Sequence, residues 1–256
     1  QLSKKSPMTR LNPVPFRLGP KSNGKPLACL GDIPCLILLG DVGMGKTTET
    51  TKEADRLRAQ FADQNHEVVR HDLKRMSETQ ILRRVFDDPK VRGWSACEHS
   101  LTLFLDSLDE CWRRIDELES ILVGELKRML EDERPPLYLR LTCRSAEWRG
   151  NVGQALQRLF SSNTQEKDPL QIYSLAPLSQ TNVIDAAAAE GRDADKFVNA
   201  IREREAQPLA SHPMTLDMLL HIDGENGKLP SSRVELYEKG CSRLCADPHT
   251  EPTSTR

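Results

Sequence analysis

The octapeptide GDVGMGKT, Gly40–Thr47, constrains this chain more than any other stretch. It follows a short, continuously apolar run, IPCLILLG, and opens a segment, KTTETTKEADRLRAQFA, that reads as a helix. Glycines at 40, 43 and 45 let the backbone wrap closely and take positive φ where needed. A loop of this kind between a buried strand and a helix aims backbone N–H groups and a helix N-terminus at one point, which makes an anion nest. Lys46 can reach the outer phosphates of a polyphosphate, and the Thr47 hydroxyl can ligate Mg²⁺. Gly40, Asp41, Val42, Gly43, Met44, Gly45, Lys46, Thr47 and Thr48 are therefore the candidate phosphate contacts. A glycine-rich turn that fits G-x-x-x-x-G-K-[ST] by accident is the alternative, and the strand before and helix after it weigh against that.

A second stretch, LTLFLDSLDE from Leu101 to Glu110, needs such a partner. An apolar strand runs into Asp106, and Asp109 and Glu110 follow almost at once. Carboxylates crowded at a strand end repel, so a cation is expected there. With a polyphosphate nearby, Asp106 would face Mg²⁺ through water, from a strand expected to neighbour the first. For Asp109 and Glu110 two readings stand. Either Glu110 orients or deprotonates an attacking water with Asp109 in support, or both are acids that stabilise a helix first turn. Arg144, just beyond the strand of LRLTCR, is placed to sense a terminal phosphate, because ligands gather at the carboxyl ends of parallel strands. The alternative for Arg144 is a surface arginine paired with Glu147.

The strands IPCLILLG, HEVVRHDL, LTLFLD, PPLYLRLTC and LQIYSLAPL alternate with helical segments. In RIDELESILVGELKRMLEDE the apolar residues Ile115, Leu118, Leu122, Leu126 and Met129 recur at three and four, one stripe of a helix. The expected fold is α/β: a three-layer sandwich around a five-stranded parallel sheet, followed by a small helical subdomain. The organisation reads as an irregular lead-in over 1–30, a core over 31–178, helices over 179–247 and a polar tail over 248–256. TNVIDAAAAEG, DADKFVNAIREREA, HPMTLDMLLHI and SSRVELYEKGCSRLC supply the helices.

Composition excludes several classes. A net charge of −2 gives no electrostatic case for nucleic acid or an anionic membrane. No run approaches the roughly 18 apolar residues of a membrane span. The start, QLSKKSPMTR, has no apolar signal region and no initiating Met, and the end is polar, so the sequence reads as a piece of a longer chain. Seven cysteines, an odd number in a chain too large to need a disulfide framework, fit reduced thiols in a cytoplasmic protein. Cys241 and Cys245 sit a helical turn apart without a second ligand pair and read as ordinary thiols, not a zinc site. Trp94, Trp112 and Trp148 read as packing residues.

These residues together resemble a NACHT-type member of the STAND class of P-loop NTPases, a class that includes animal innate-immune receptors and bacterial antiviral proteins. LFLDSLDE resembles the family signature of four apolar residues followed by D-G-x-D-E, with Ser107 where glycine is usual. LRLTCR is similar to the strand ending in T-S/C-R, YSLAPLS to the strand that introduces the helical subdomain, and LPSSRVELYEKG to the R-x-x-L-Y helix. QPLASHPMTLDMLL resembles the helix start that touches the nucleotide, which implies Pro213 as a contact. His212 beside it either touches phosphate or caps the helix. The resemblance covers residues 30 to 245.

What the resemblance implies is a switch. ATP and ADP, with Mg²⁺, would hold different states; the open state would oligomerise with copies of itself and serve effector and sensor domains outside this chain. Hydrolysis would be slow. Two rivals stand beside it: an AAA-type mechanical ATPase, for which Arg92 in DDPKVRGW could serve as an arginine finger, and a nucleotide-binding scaffold without turnover. The phosphate loop does not itself choose between ATP and GTP.

Overall fold

The structure, a computed structural model, describes residues 11–13, 25–62, 64–96, 99–131, 134–226, 229–230 and 232–245. The chain divides into two compact units, one spanning Arg10–Ala176 and one built on Pro177–Arg256. The first unit carries a six-stranded sheet. Its strands are β1 (Leu11–Pro13), β2 (Cys35–Leu39), β3 (His66–Asp72), β4 (Ser100–Asp106), β5 (Leu137–Cys143) and β6 (Leu170–Leu175). Their order is β1-β6-β2-β5-β4-β3. Strands β2 to β6 are mutually parallel and correspond to the five sequence-predicted strands. β1 adds an antiparallel edge from within the lead-in expected to be irregular.

Alternate residues of each strand serve two different layers, as the period of two requires. Cys35, Ile37 and Leu39 of β2 face a core with Leu101, Leu103 and Leu105 of β4 and Leu137, Leu139 and Leu141 of β5. That core is closed by α5 (Leu118–Met129) through Leu118, Leu122 and Leu126, and by α6 (Gly150–Asn163) through Val152, Leu156 and Phe160. Leu36 and Leu38 point the other way, against Leu27 and Leu30 of a short 3-10 turn and against Tyr173. Phe104 and Val68 meet Ala54 and Leu57 of α1 (Lys46–Gln60) on that same side. Both faces are therefore covered, which is why the strands read as unbroken apolar runs. Burial of each large side chain here is worth about 1.5–3 kcal/mol.

Two details differ from expectation. α5 begins at Leu118, and Ile115 packs from the turn before it, so the helix is shorter than the apolar stripe. More important, β4 does not lie beside β2. β5 pairs with both and separates them. Asp106 and the phosphate loop are thus one strand apart, and the residues at the end of β5 stand between them.

A feature the sequence hid is Arg140 in the middle of β5, only 4% exposed. Its guanidinium donates to the carbonyls of Ile33 (2.6 Å), Gly31 (2.7 Å), Leu139 (3.0 Å) and Leu30 (3.5 Å). Burial pulls its pKa down to about 10. A buried cation satisfied by carbonyls fixes the segment that enters β2, and β2 in turn aims the phosphate loop.

The second unit is helical: α7 (Gln180–Ala189), α8 (Ala194–Glu203), α9 (Gln207–Ala210), α10 (Pro213–Asn226) and α11 (Arg233–Cys245). Its own core holds Val183, Phe197, Ile201, Leu216, Leu219 and Leu236. Ser179 and Asn182 form a reciprocal cap at the start of α7, and the Asp193 carboxylate accepts from the Lys196 N–H at the start of α8. In the first unit α2 (Glu78–Ile81) precedes α3 (Pro89–Ala96), whose Trp94 is fully buried. The tail 248–256 lies outside the described residues, as do the side chains of Cys241 and Cys245.

Candidate functional site

The phosphate loop is shaped by two of its three glycines. Gly43 (φ 77°) and Gly45 (φ 85°) occupy left-handed conformations that disfavour a side chain. Gly40 does not; a Cβ there would meet Leu175 and Lys46 at an ordinary 3.5 Å. The Gly40 N–H donates to the Cys143 carbonyl (3.3 Å), joining the loop to the end of β5. Met44 is buried against Leu36, Leu38 and Tyr173 and anchors the loop, whereas Val42 at the tip is 57% exposed. Asp41, Thr47 and Thr48 are also exposed, and α1 starts at Lys46, so the helix N-terminus opens directly onto the loop.

Lys46 is folded back on the loop. Its Nζ donates to the carbonyls of Gly40 (2.5 Å) and Asp41 (3.1 Å). Burial lowers its pKa, while the negative charge of Asp109 opposes that and Arg144 adds to it. Phosphate oxygens would be better acceptors for an ammonium than two neutral carbonyls.

The acidic edge is built differently. Asp106 is 1% exposed and both its oxygens are taken: Arg70 Nη2 donates to Oδ2 (2.7 Å) and the Thr142 hydroxyl donates to Oδ1. Thr142 Oγ1 also accepts the Ser107 N–H (2.9 Å). Ser107 has φ 66° and ψ 41°, a left-handed conformation. The glycine usual at this place in the resembling family has a backbone reason, and serine meets it at a steric cost of about 1–2 kcal/mol. α4 (Leu108–Trp112) starts immediately after, which puts Asp109 and Glu110 in its first turn.

Asp109 is 2% exposed and holds Arg144 twice: Arg144 Nε lies 2.8 Å from Oδ2, and the Arg144 backbone N–H donates to Oδ1 (3.2 Å). Glu110 is partly exposed, with Lys74 at 3.6 Å and Arg144 at 3.9 Å. The cations expected at this strand end are thus present in the chain itself: Arg70, Arg144 and Lys74. Arg144 does not pair with Glu147, which is held by Arg113 at 2.6 Å.

Arg70, Lys74 and Thr142 were not singled out by sequence reasoning. Arg70 and Lys74 come from β3 and the turn after it, and only strand register brings them to the acids. The register sets Arg70 opposite Phe104 and Asp72 opposite Asp106, so Arg70 reaches diagonally along one face. Thr142 stands within the quoted LRLTCR, two strand positions past Arg140 on the same face. Pro213 is the first residue of α10, where its missing N–H costs nothing. The carbonyl of His212 accepts the Leu216 N–H, so His212 occupies the cap position of that helix. Both belong to the helical unit. Arg92, in α3, bonds Asp87 at 2.6 Å. Trp112 and Trp148 pack on each other with ring centres 5.8 Å apart, and Arg149 lies over Trp112.

The donor set fits a magnesium nucleotide. Thr47 and Asp106 offer only hard oxygens, as Mg²⁺ prefers, and the loop offers N–H groups and a lysine for phosphates. Among the described residues no three His, Cys, Asp or Glu side chains converge as a protein-only metal site, so a cation here would rely on phosphate and water for its remaining ligands. No helix among them is long and apolar enough to cross a membrane.

The sheet order β6-β2-β5-β4-β3, the glycine loop after β2 and the acidic end of β4 define the fold of P-loop nucleoside triphosphatases. One solved structure supports the fold. The Aeropyrum pernix ORC1 protein, solved in complex with DNA, superposes with a TM-score of 0.50 at 16% identity, over 82% of this chain and 59% of that one. A Rhizobiales Trip13 structure matches with a TM-score of 0.46 at 13% identity, over 86% of this chain and 76% of that one. The A. pernix ORC2 protein, in ADPNP–ADP complexes, gives 0.48 at 15%, over 84% and 64%. The chain therefore spans about three-fifths of the ORC1 structure it resembles. The sequence matches no family profile and no curated protein.

Proposed function

We propose that this chain is the ATP-binding, slowly hydrolysing switch module of a larger signalling protein of the NACHT/STAND type, serving immune or antiviral defence, with nucleotide state controlling opening and oligomerisation. The observation that carries the proposal is the placement of Arg144. It is held by Asp109 through side chain and backbone, within the electrostatic reach of Lys46. A terminal phosphate would compete with Asp109 for that guanidinium, so the residue has two alternative partners, one with triphosphate and one without. That is the local requirement for a switch.

In this reading Lys46 and the loop N–H groups bind the phosphates, and Thr47 and Asp106 hold the divalent cation. Bound Mg²⁺ would offset charge on the outer phosphates. Glu110 orients the attacking water, and Asp109 positions Arg144. Glu110 has Lys74 and Arg144 as neighbours. The effector and sensor parts lie in other segments of the protein.

To move a population from 1:99 to 99:1, nucleotide must favour one state about 10⁴-fold. Turnover and molar mass in solution test the proposal together. The expected result is hydrolysis slower than about one per minute, far below the median near 10 s⁻¹ for enzymes, and a larger mass with ATP than with ADP. Turnover of several per second, with a mass that ignores the nucleotide, would move the reading to a mechanical ATPase.

A further inference from the structure

The proposed function leaves Arg70 without a part, and its position demands one. It lies on the edge strand β3 and its side chain is 18% exposed, against 1% for Asp106. Its Nη2 holds Asp106 Oδ2 at 2.7 Å, while Thr142 holds Oδ1. Asp72 stands directly opposite Asp106 in the register and turns its own carboxylate to the Lys74 N–H (2.9 Å). Two acids opposite each other at a strand end repel, and Arg70 supplies the charge that offsets them. The Nε of Arg70 is buried without a hydrogen-bond partner, so the guanidinium is committed to this carboxylate at the expense of one of its own donors.

A carboxylate with both oxygens engaged is not open to a cation in this state. Water can bridge to its remaining lone pairs, or a protein donor must leave. Thr142 is tied on its other side to the Ser107 N–H and lies within the sheet, so it cannot withdraw without loosening the start of α4. Arg70 is a long side chain on an edge strand and can swing outward.

We propose that Arg70 is a resident counter-ion at the acidic edge, occupying Asp106 Oδ2 in the nucleotide-free chain and yielding it to the divalent cation that enters with nucleotide, so that Arg70 sets how strongly binding depends on that cation. The inference rests on the nucleotide reading above. It makes Arg70 a positioning residue that acts through Asp106. Because the protein already neutralises Asp106, magnesium gains less by arriving than it would at a bare carboxylate.

The test is the affinity of the intact chain for ATP and for ADP, each in excess Mg²⁺ and in EDTA, expressed as the ratio of the two affinities. Arg70→Gln vacates the oxygen, and its ratio should exceed that of the wild type by about tenfold, the worth of one charge-assisted hydrogen bond. Arg70→Lys keeps a cation with a single point of contact and should fall between. Without nucleotide, Mg²⁺ should raise the melting temperature of Arg70→Gln and leave the wild type unmoved; a purely structural arginine would not give that response. A ratio in the variants equal to that of the wild type overturns the inference and leaves the nucleotide reading intact. Should Arg70→Gln fail to fold, Arg70→Lys carries the same comparison. A wild-type chain that binds no nucleotide in either buffer overturns the nucleotide reading, and this inference with it.

Discussion

The phosphate loop and the acidic edge both stand at the carboxyl ends of the parallel strands and are constructed on opposite principles. The loop is a backbone object: its shape follows from left-handed φ at Gly43 and Gly45, its tip residue Val42 is exposed, and Lys46 rests on the carbonyls of Gly40 and Asp41. The edge is a side-chain object: Asp106 and Asp109 are buried, and each already holds an arginine. On the proposed nucleotide reading the loop would receive a ligand at little cost, whereas the edge would have to give something up. Affinity should reside in the first, and the response to which nucleotide is bound should reside in the second.

Removing one charge from each region should separate them most. Asp106→Ala leaves Arg70 without its partner in a mostly buried position, and unfolding in denaturant should show a loss of about 3–5 kcal/mol. Lys46→Ala relieves a half-buried ammonium and should change stability by less than about 1 kcal/mol while abolishing nucleotide binding. Similar losses from both would erase the distinction.

Next come the two left-handed positions. Gly45→Ala should cost about 1–2 kcal/mol and weaken phosphate binding, because a Cβ at φ 85° is strained whatever space surrounds it. Gly40→Ala, where the conformation is ordinary, should cost less. On the edge the sign reverses: Ser107→Gly removes strain at φ 66° and should raise stability by up to about 1 kcal/mol, read from the denaturant midpoint. Destabilisation by Ser107→Gly would mean that the turn into α4 is held by more than backbone strain.

The smallest effect lies at the opposite ends of the same strands. His66 Nε2 is 2.8 Å from the Thr102 hydroxyl, and burial first, then the charge of Arg140, lowers its pKa. A histidine held neutral when folded takes no proton there until below its ordinary value near about 6.5, whereas the unfolded chain takes one at that value. Stability should thus fall as pH drops from about 6.5 towards the folded pKa, with no contribution above it. His66→Gln should flatten that slope in part, His71, also lowered by burial, keeping the remainder. An unchanged slope in His66→Gln would show that His66 is protonated alike in both states.

The same contrast explains what could be read in advance. A glycine loop is written in consecutive residues, so GDVGMGKT named its own conformation, and five apolar runs named five parallel strands. The partners of the acids are written far away: Arg70 is 36 residues from Asp106 and Thr142 is 36 residues beyond it. Only the order of strands joins them, and that order, with β5 between β2 and β4, is a property of the sheet and not of any one segment. α6 is legible in the same way, since Val152, Leu156, Leu159 and Phe160 follow a helical period. Arg140 is not, because an arginine inside LYLRLTC reads as a solvent-facing strand residue, and the carbonyls of Leu30, Gly31 and Ile33 that it meets lie more than a hundred positions earlier.

Calorimetric titration of the intact chain with ATP and with ADP in Mg²⁺, set beside Lys46→Ala, tests the central claim most directly. The account predicts micromolar or tighter binding by the wild type, about −8 kcal/mol or more, and no measurable binding by the variant. Binding that survives Lys46→Ala unchanged, or a wild-type chain that takes up neither nucleotide, would contradict it.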